Sequence, residues 1–195
     1  MTAPAEAQAT PAAAPTGAEL EQVLSRPIPA DWTVSKALDT YLAVNGFTRA
    51  EYDRPWVEVT FWSFTFPFPN PPARRQAIRM HDLHHVVTGY GTSPTGEAEI
   101  SAWELRRGVG VFSLFVQGII LGGVLLGLLH APRRTLAAWR AGRSPSGAGL
   151  QPCDPERYAS LLGRSVGELR ALYDVPSAGI TGARELHYAA PSRQG

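Results

Sequence analysis

Residues 71–107 read PPARRQAIRMHDLHHVVTGYGTSPTGEAEISAWELRR, and the fold turns on how they are understood. Asn70-Pro71-Pro72 is a helix start, because a proline gives up an amide that the first turn leaves unpaired in any case. The spacing predicts a helix to Thr88, in which each residue turns by about 100°. His85 then stands about 40° from His81, and Asp82 about 100° from it. Arg74 and Ile78 rise along the same side. The chain next turns through Gly89, Gly91, Pro94 and Gly96 and re-enters helix over 97–107, so Glu97 can return to the histidines. Two imidazoles and two carboxylates converging from two helices make a candidate metal site.

Upstream, Thr16 and Glu19 form a capping box that opens a short helix, GAELEQVLS, ended by Pro27. Asp31 or Thr33 starts a second helix, with Val34, Leu38, Tyr41, Leu42 and Val44 on its apolar side and Asn45-Gly46 as its stop. Thr48 and Glu51 repeat the capping pattern over a short turn. WVEVTFWSFTFPF, 56–68, alternates and scores as a strand: core strand, core-covering loop, or an aromatic segment over a pocket or a membrane.

Downstream, residues 109–129, VGVFSLFVQGIILGGVLLGLL, carry no charge. As one helix they would extend about 31 Å, enough for a bilayer. Arginines at both ends, 106 and 107 against 133 and 134, give no orientation bias. Gly118/Gly122 and Gly123/Gly127 are small-x-x-x-small pairs that permit close packing in lipid or in a protein core. The pattern therefore leaves a membrane-embedded and a fully buried central helix both open. Residues 133–139 are a short amphipathic turn, and 143–149 a loop. Pro155 to Leu162 is a short helix, and Ser165/Glu168 cap a last one with Val166, Leu169 and Leu172 inward. The expected architecture is all-α: a disordered arm (1–15), one helical metal-binding domain (16–175) with at most one short β element, and a loose tail (176–195).

The 195 residues can bury roughly 70% of their unfolded surface in one core. A net charge of +1 gives no footprint for nucleic acid, so none is expected as a partner. One cysteine, Cys153, excludes a disulfide framework and a cysteine-based zinc knuckle and fits a reducing compartment. The opening residues lack the basic and apolar character of a secretory or mitochondrial leader.

Imidazole and carboxylate donors without thiolates suit zinc, iron or manganese. Two histidines and one carboxylate also match the facial triad of non-haem iron centres. Asp82, next to His81, can ligate, orient an imidazole or relay a proton. The spacing echoes the His-Glu-x-x-His of zinc peptidases, but aspartate is too short to serve their bound water well. The plain alternative is a pair of helix histidines that meet no metal. His84 points away and is expected to pack or face solvent; His130 and His187 are expected to be structural or incidental.

His81-Asp82-x-x-His85, eleven residues, then Glu97 resembles the signature of the coenzyme Q biosynthesis protein 4 family. Arg79 before the first histidine, HHVVTGYGTSPTGE through the turn, Trp103-Glu104, and ERYASLLGRSVGELRALYDV at 156–175 agree with it. The resemblance implies a helical protein holding a divalent ion, zinc first, at His81, Asp82, His85 and Glu97. It implies a part in ubiquinone formation: oxidative decarboxylation at C1 of a polyprenylated hydroxybenzoate ring, beside other biosynthetic enzymes. An isoprenoid tail needs an apolar groove, so 109–129 is expected to wall a lipid channel. Segment 56–68 does not resemble the family, which leaves the substrate end open.

On that footing the chain is expected to be a metal-dependent decarboxylase or lyase with Asp82 and Arg79 as candidate catalytic residues. It is expected in the cytoplasm, peripheral on the inner membrane, and a homo-oligomer is allowed. The rivals are a non-catalytic lipid-binding organiser and a related lyase, isomerase or cyclase of a bacterial natural-product pathway.

Overall fold

Prolines and short hydroxyl side chains set where the helices begin. A computed structural model of the chain describes residues 15–20, 27–61 and 64–180, side chains at 59–64 excepted. The expected arm, most of the first helix and the end of the tail fall outside these residues. Helix α1 spans Val34–Val44, and its N-cap Thr33 accepts from the Lys36 amide at 3.2 Å. A 3₁₀ turn, Arg49–Asp53, carries the Thr48/Glu51 capping box. Helix α2 spans Pro72–Thr88 and stops at Gly89 in a left-handed conformation. Helix α3 spans Pro94–Arg107. It starts three residues earlier than expected because Ser93 caps it, accepting from the Gly96 amide at 3.1 Å. Helices α4 (Leu114–His130), α5 (Pro132–Ala141), α6 (Pro155–Leu162) and α7 (Val166–Leu172) complete the described helices beyond α3.

The β structure is one antiparallel hairpin, β1 (Trp56–Phe61) and β2 (Phe64–Pro69), with Trp56 opposite Pro69 and Phe61 opposite Phe64. The single strand expected over 56–68 is thus two, and neither is core: Trp56 is 60% exposed. Phe68 reaches across to stack on Phe115 of α4, ring centroids 6.0 Å apart. Asn70 does not cap α2, because its side chain points back to donate to the carbonyls of Tyr52 and Arg54. That clamps the 3₁₀ turn onto the start of α2.

One buried cluster unites α1, α2, α3 and α7 through Val34, Leu38, Met80, Leu83, Ile100, Trp103 and Leu169. Arg170 sits inside it, giving its guanidinium to the carbonyls of Val87, Ile28 and Ser177. A buried arginine is tolerated when its donors are satisfied this way. The Ile180 amide bonds the Thr88 carbonyl at 2.7 Å, so 176–180 is held against the end of α2. Leu172, expected inward, is 40% exposed.

The apolar stretch 109–129 is neither a spanning helix nor a buried one. Its helical part has 17 residues, and no described helix is long and apolar enough to cross a membrane. Only a stripe of Val116, Ile120, Val124 and Gly127 is buried, packed on α3 and α5, while Leu125 and Leu129 are 55% and 81% exposed. One glycine pair explains the packing. A Cβ on Gly123 would meet Ser101 Oγ at 2.5 Å, and one on Gly127 would meet Ala98 Cβ at 2.4 Å, whereas Gly118 and Gly122 face open space.

Two substitutions separate these faces. Gly127→Ala should lower unfolding stability by about 1–3 kcal/mol through overpacking. Gly118→Ala should raise it by about 0.4–1 kcal/mol by restricting the unfolded chain. Urea denaturation measures both, and equal effects would contradict the placement of α4.

Candidate metal centre

The turn between α2 and α3 closes because Gly96, in the first turn of α3, has no side chain. A Cβ on Gly96 would lie 2.1 Å from the Gly91 carbonyl oxygen, so this approach admits only glycine. The first turn of α3 is thereby drawn back over α2, with Glu97 facing the histidines. His81, His85 and Glu97 each offer one ligand atom, all within 4.8 Å of one another, and this cluster could hold a metal ion.

Both imidazoles are fixed by their far nitrogens. His85 Nδ1 donates to the Tyr90 carbonyl at 2.8 Å, and Tyr41 of α1 stacks on its ring at 5.6 Å. His81 Nδ1 donates to Glu104 Oε1 at 3.1 Å. Each histidine then turns Nε2 inward, the two only 3.1 Å apart, with Glu97 Oε2 3.3 Å from His81 Nε2. A carbonyl can only accept, so the neutral form of His85 keeps its proton on Nδ1 and presents a bare lone pair. An ordinary metal-bound histidine shows this arrangement: the other ring nitrogen donates to a carboxylate or a carbonyl. The donor set therefore fits a divalent ion. His85 is 1% exposed and Glu97 46%, so the site opens towards solvent on the Glu97 side.

The charges are strongly perturbed. Burial opposes the His81 imidazolium, but Glu104 and then Glu97 push its pKa well above the usual histidine value. Burial also disfavours the Glu97 carboxylate, yet His85 and His81 hold it down at about 2. Glu104, equally disfavoured by burial, is held well below the ordinary range by His81 and His84. In the metal-free protein a proton on His81 Nε2 therefore occupies the point where an ion would sit.

Asp82 does not join the three-ligand cluster. It is buried, and its Oδ2 accepts from the Tyr52 hydroxyl at 2.6 Å. Neighbouring residues on a helix diverge by about 100°, and Tyr52 takes up that difference. Burial raises the Asp82 pKa, with His81 opposing. Arg79 lies on the far side of Tyr52: it pairs with Asp53 at 2.8 Å, and its guanidinium stands 5.4 Å over the Tyr52 ring. Arg74 binds Asn70 Oδ1 at 2.9 Å and lies over Phe68, while Asp82 and Glu97 support its charge against burial.

Glu104 is the residue of the candidate site that motif reading passed over. It lies seven residues after Glu97, two turns along the same face of α3, and that spacing was its available signal. His84 is buried, as packing predicts, between Trp103 and Tyr173 with ring centroids 5.3 Å from each. It also donates from Nδ1 to Glu104 Oε1 at 2.7 Å. His130 only bonds the Leu126 carbonyl on the surface. Burial pushes the Cys153 thiol up, away from reactivity.

Comparison with protein-family models, with curated proteins and with solved structures finds no match for this chain.

Metal binding must displace the His81 proton, so it strengthens as pH rises towards the raised His81 pKa. Apparent affinity should increase about tenfold per pH unit above pH 6, the release of one proton. Glu104→Gln should weaken binding roughly 10–100-fold and flatten that profile, since His81 then loses the proton more easily. Competition with a chromophoric chelator measures both, and a pH-independent affinity in the native chain would contradict the assignment.

Proposed function

We propose that the protein is a metal-dependent enzyme of quinone biosynthesis that removes the carboxyl group from a hydroxybenzoate-type ring bearing a polyprenyl tail. One observation carries the reading: the cluster supplies three ligand atoms, with Asp82 held aside by Tyr52. A structural zinc site is closed by four protein ligands, whereas a catalytic one uses three and keeps a position for substrate. The His-Asp-x-x-His…Glu resemblance supplies the substrate class, and zinc is the ion we assign, iron or manganese being the alternatives.

His81, His85 and Glu97 would hold the ion, which would supply Lewis-acid chemistry at the substrate oxygens. Arg74, between the cluster and the stacked Phe68 and Phe115, binds the carboxylate. The aromatic pair takes the ring, and the exposed apolar face of α4 takes the tail. As the ring–carboxyl bond breaks, its electron pair enters the ring and carbon dioxide leaves. Asp82, protonated more readily because it is buried, delivers a proton to the ring carbon. Tyr52 fixes the angle of Asp82, and Arg79 positions Tyr52. The oxidative form of the reaction, with hydroxyl at C1, would take that oxygen from water and pass two electrons and two protons to dioxygen, giving hydrogen peroxide. A non-catalytic lipid-binding organiser is the second reading, favoured by the width of the apolar face on α4.

Elemental analysis should find one equivalent of metal in the native chain and in Asp82→Asn, and none in Glu97→Ala. Asp82→Asn should lower release of carbon dioxide from the ring carboxyl at least 100-fold. Full metal content with no turnover by the native protein, but retained binding of the prenylated ring, would favour the organiser.

A further inference from the structure

A second site lies away from the metal cluster, where α3 and α5 end. A cavity of about 300 Å³ is lined by Arg106, Arg107 and Arg143 together with Gly142, Ser144 and the 147–149 backbone. Close packing builds it: a Cβ on Gly142 would lie 2.7 Å from the Trp103 carbonyl and 2.8 Å from Arg106 Cβ, so the end of α5 presses on α3. Arg107 is 7% exposed and forms the rigid side, donating to the carbonyls of Ala148 and Tyr173. Its Nε–H is buried without an acceptor. Among the described residues none of the three arginines is salt-bridged. The nearby carboxylate, Asp174, is taken up by the hydroxyls of Ser144 and Ser146. Three arginines line one polar cavity with no carboxylate paired to them among the described residues, and that lining suits an anion with several oxygens.

The surroundings say what carries that anion. From residue 105 to 153 the chain holds six arginines and no aspartate or glutamate, although its net charge is only +1. The Arg106 guanidinium stands 5.2 Å over the Trp139 ring; Leu136, one turn before Trp139 on α5, is exposed, and α4, packed against α5, exposes Leu121, Leu125 and Leu129. A basic cavity bordering an exposed aliphatic surface, with tryptophan at the boundary, matches a bilayer interface.

We propose that this cavity binds the headgroup phosphate of an anionic phospholipid, docking the α4–α5 face in the bilayer surface. The full-length chain is floated with vesicles of phosphatidylcholine alone or mixed with phosphatidylglycerol, and titrated calorimetrically with inorganic phosphate. It should prefer the mixed vesicles, and Arg106→Gln/Arg143→Gln should bind them roughly 30-fold more weakly. Arg133→Gln/Arg140→Gln removes the same charge from α5 outside the cavity and should lose clearly less. Leu125→Ser/Leu129→Ser should lose both vesicle types while keeping the calorimetric phosphate signal. Equal losses in the two arginine pairs, or no preference for the anionic vesicles, would overturn the site. Phosphate binding without flotation would overturn the lipid as its source. Metal content, unchanged in all these variants, keeps this test separate from the metal centre.

Discussion

Two imidazole nitrogens 3.1 Å apart, both aimed at one point, are the constraint on which the centre of this protein depends. Left alone, two lone pairs repel, and they stay together when a proton or a metal ion stands between them. A proton on His81 meets that need in the metal-free chain, and Glu97 and Glu104 keep it there. The same geometry accommodates a divalent ion, so proton and metal are alternatives at one place. Every element around the cluster serves to hold those rings: the Tyr90 carbonyl after α2, Tyr41 from α1 and Glu104 from α3.

Burying so much charge is tolerable because it is shared. Glu104 is nearly inaccessible and accepts from two histidines through a single oxygen. An isolated carboxylate there would be costly, but hydrogen-bonded to two donors it becomes a rigid bracket between α2 and α3. His84, wedged between Trp103 and Tyr173, anchors that bracket in the core. The geometry of the histidine cluster and the packing of the core therefore use the same residues, and a change at Glu104 is felt in both.

The apolar helix α4 makes a different compromise. Gly123 and Gly127 bring it close to α3 along one stripe, and the remaining surface has nothing described over it. A chain seeking stability alone would place polar residues there. The exposed leucines form a surface that folding alone does not explain, and the substrate tail and the bilayer are the occupants proposed for it.

Much of this was legible in the sequence. The prolines and caps at Thr33, Pro72 and Ser165 mark helix starts by local chemistry, and His81/His85 share a face by helical rotation alone. The helix at 109–129 could not be judged this way, because hydrophobicity reports a wish to leave water and not what will cover it. The alternating run at 56–68 hid two paired strands, Trp56–Phe61 and Phe64–Pro69. At the centre, the motif named His81, His85 and Glu97 but grouped Asp82 with them and left out Glu104. Local spacing shows which side chains can meet; it does not show which partners claim them first. Tyr52, thirty residues away in sequence, claims Asp82, and two histidines claim Glu104. Those choices are made by long-range packing, so only the tertiary structure could decide them.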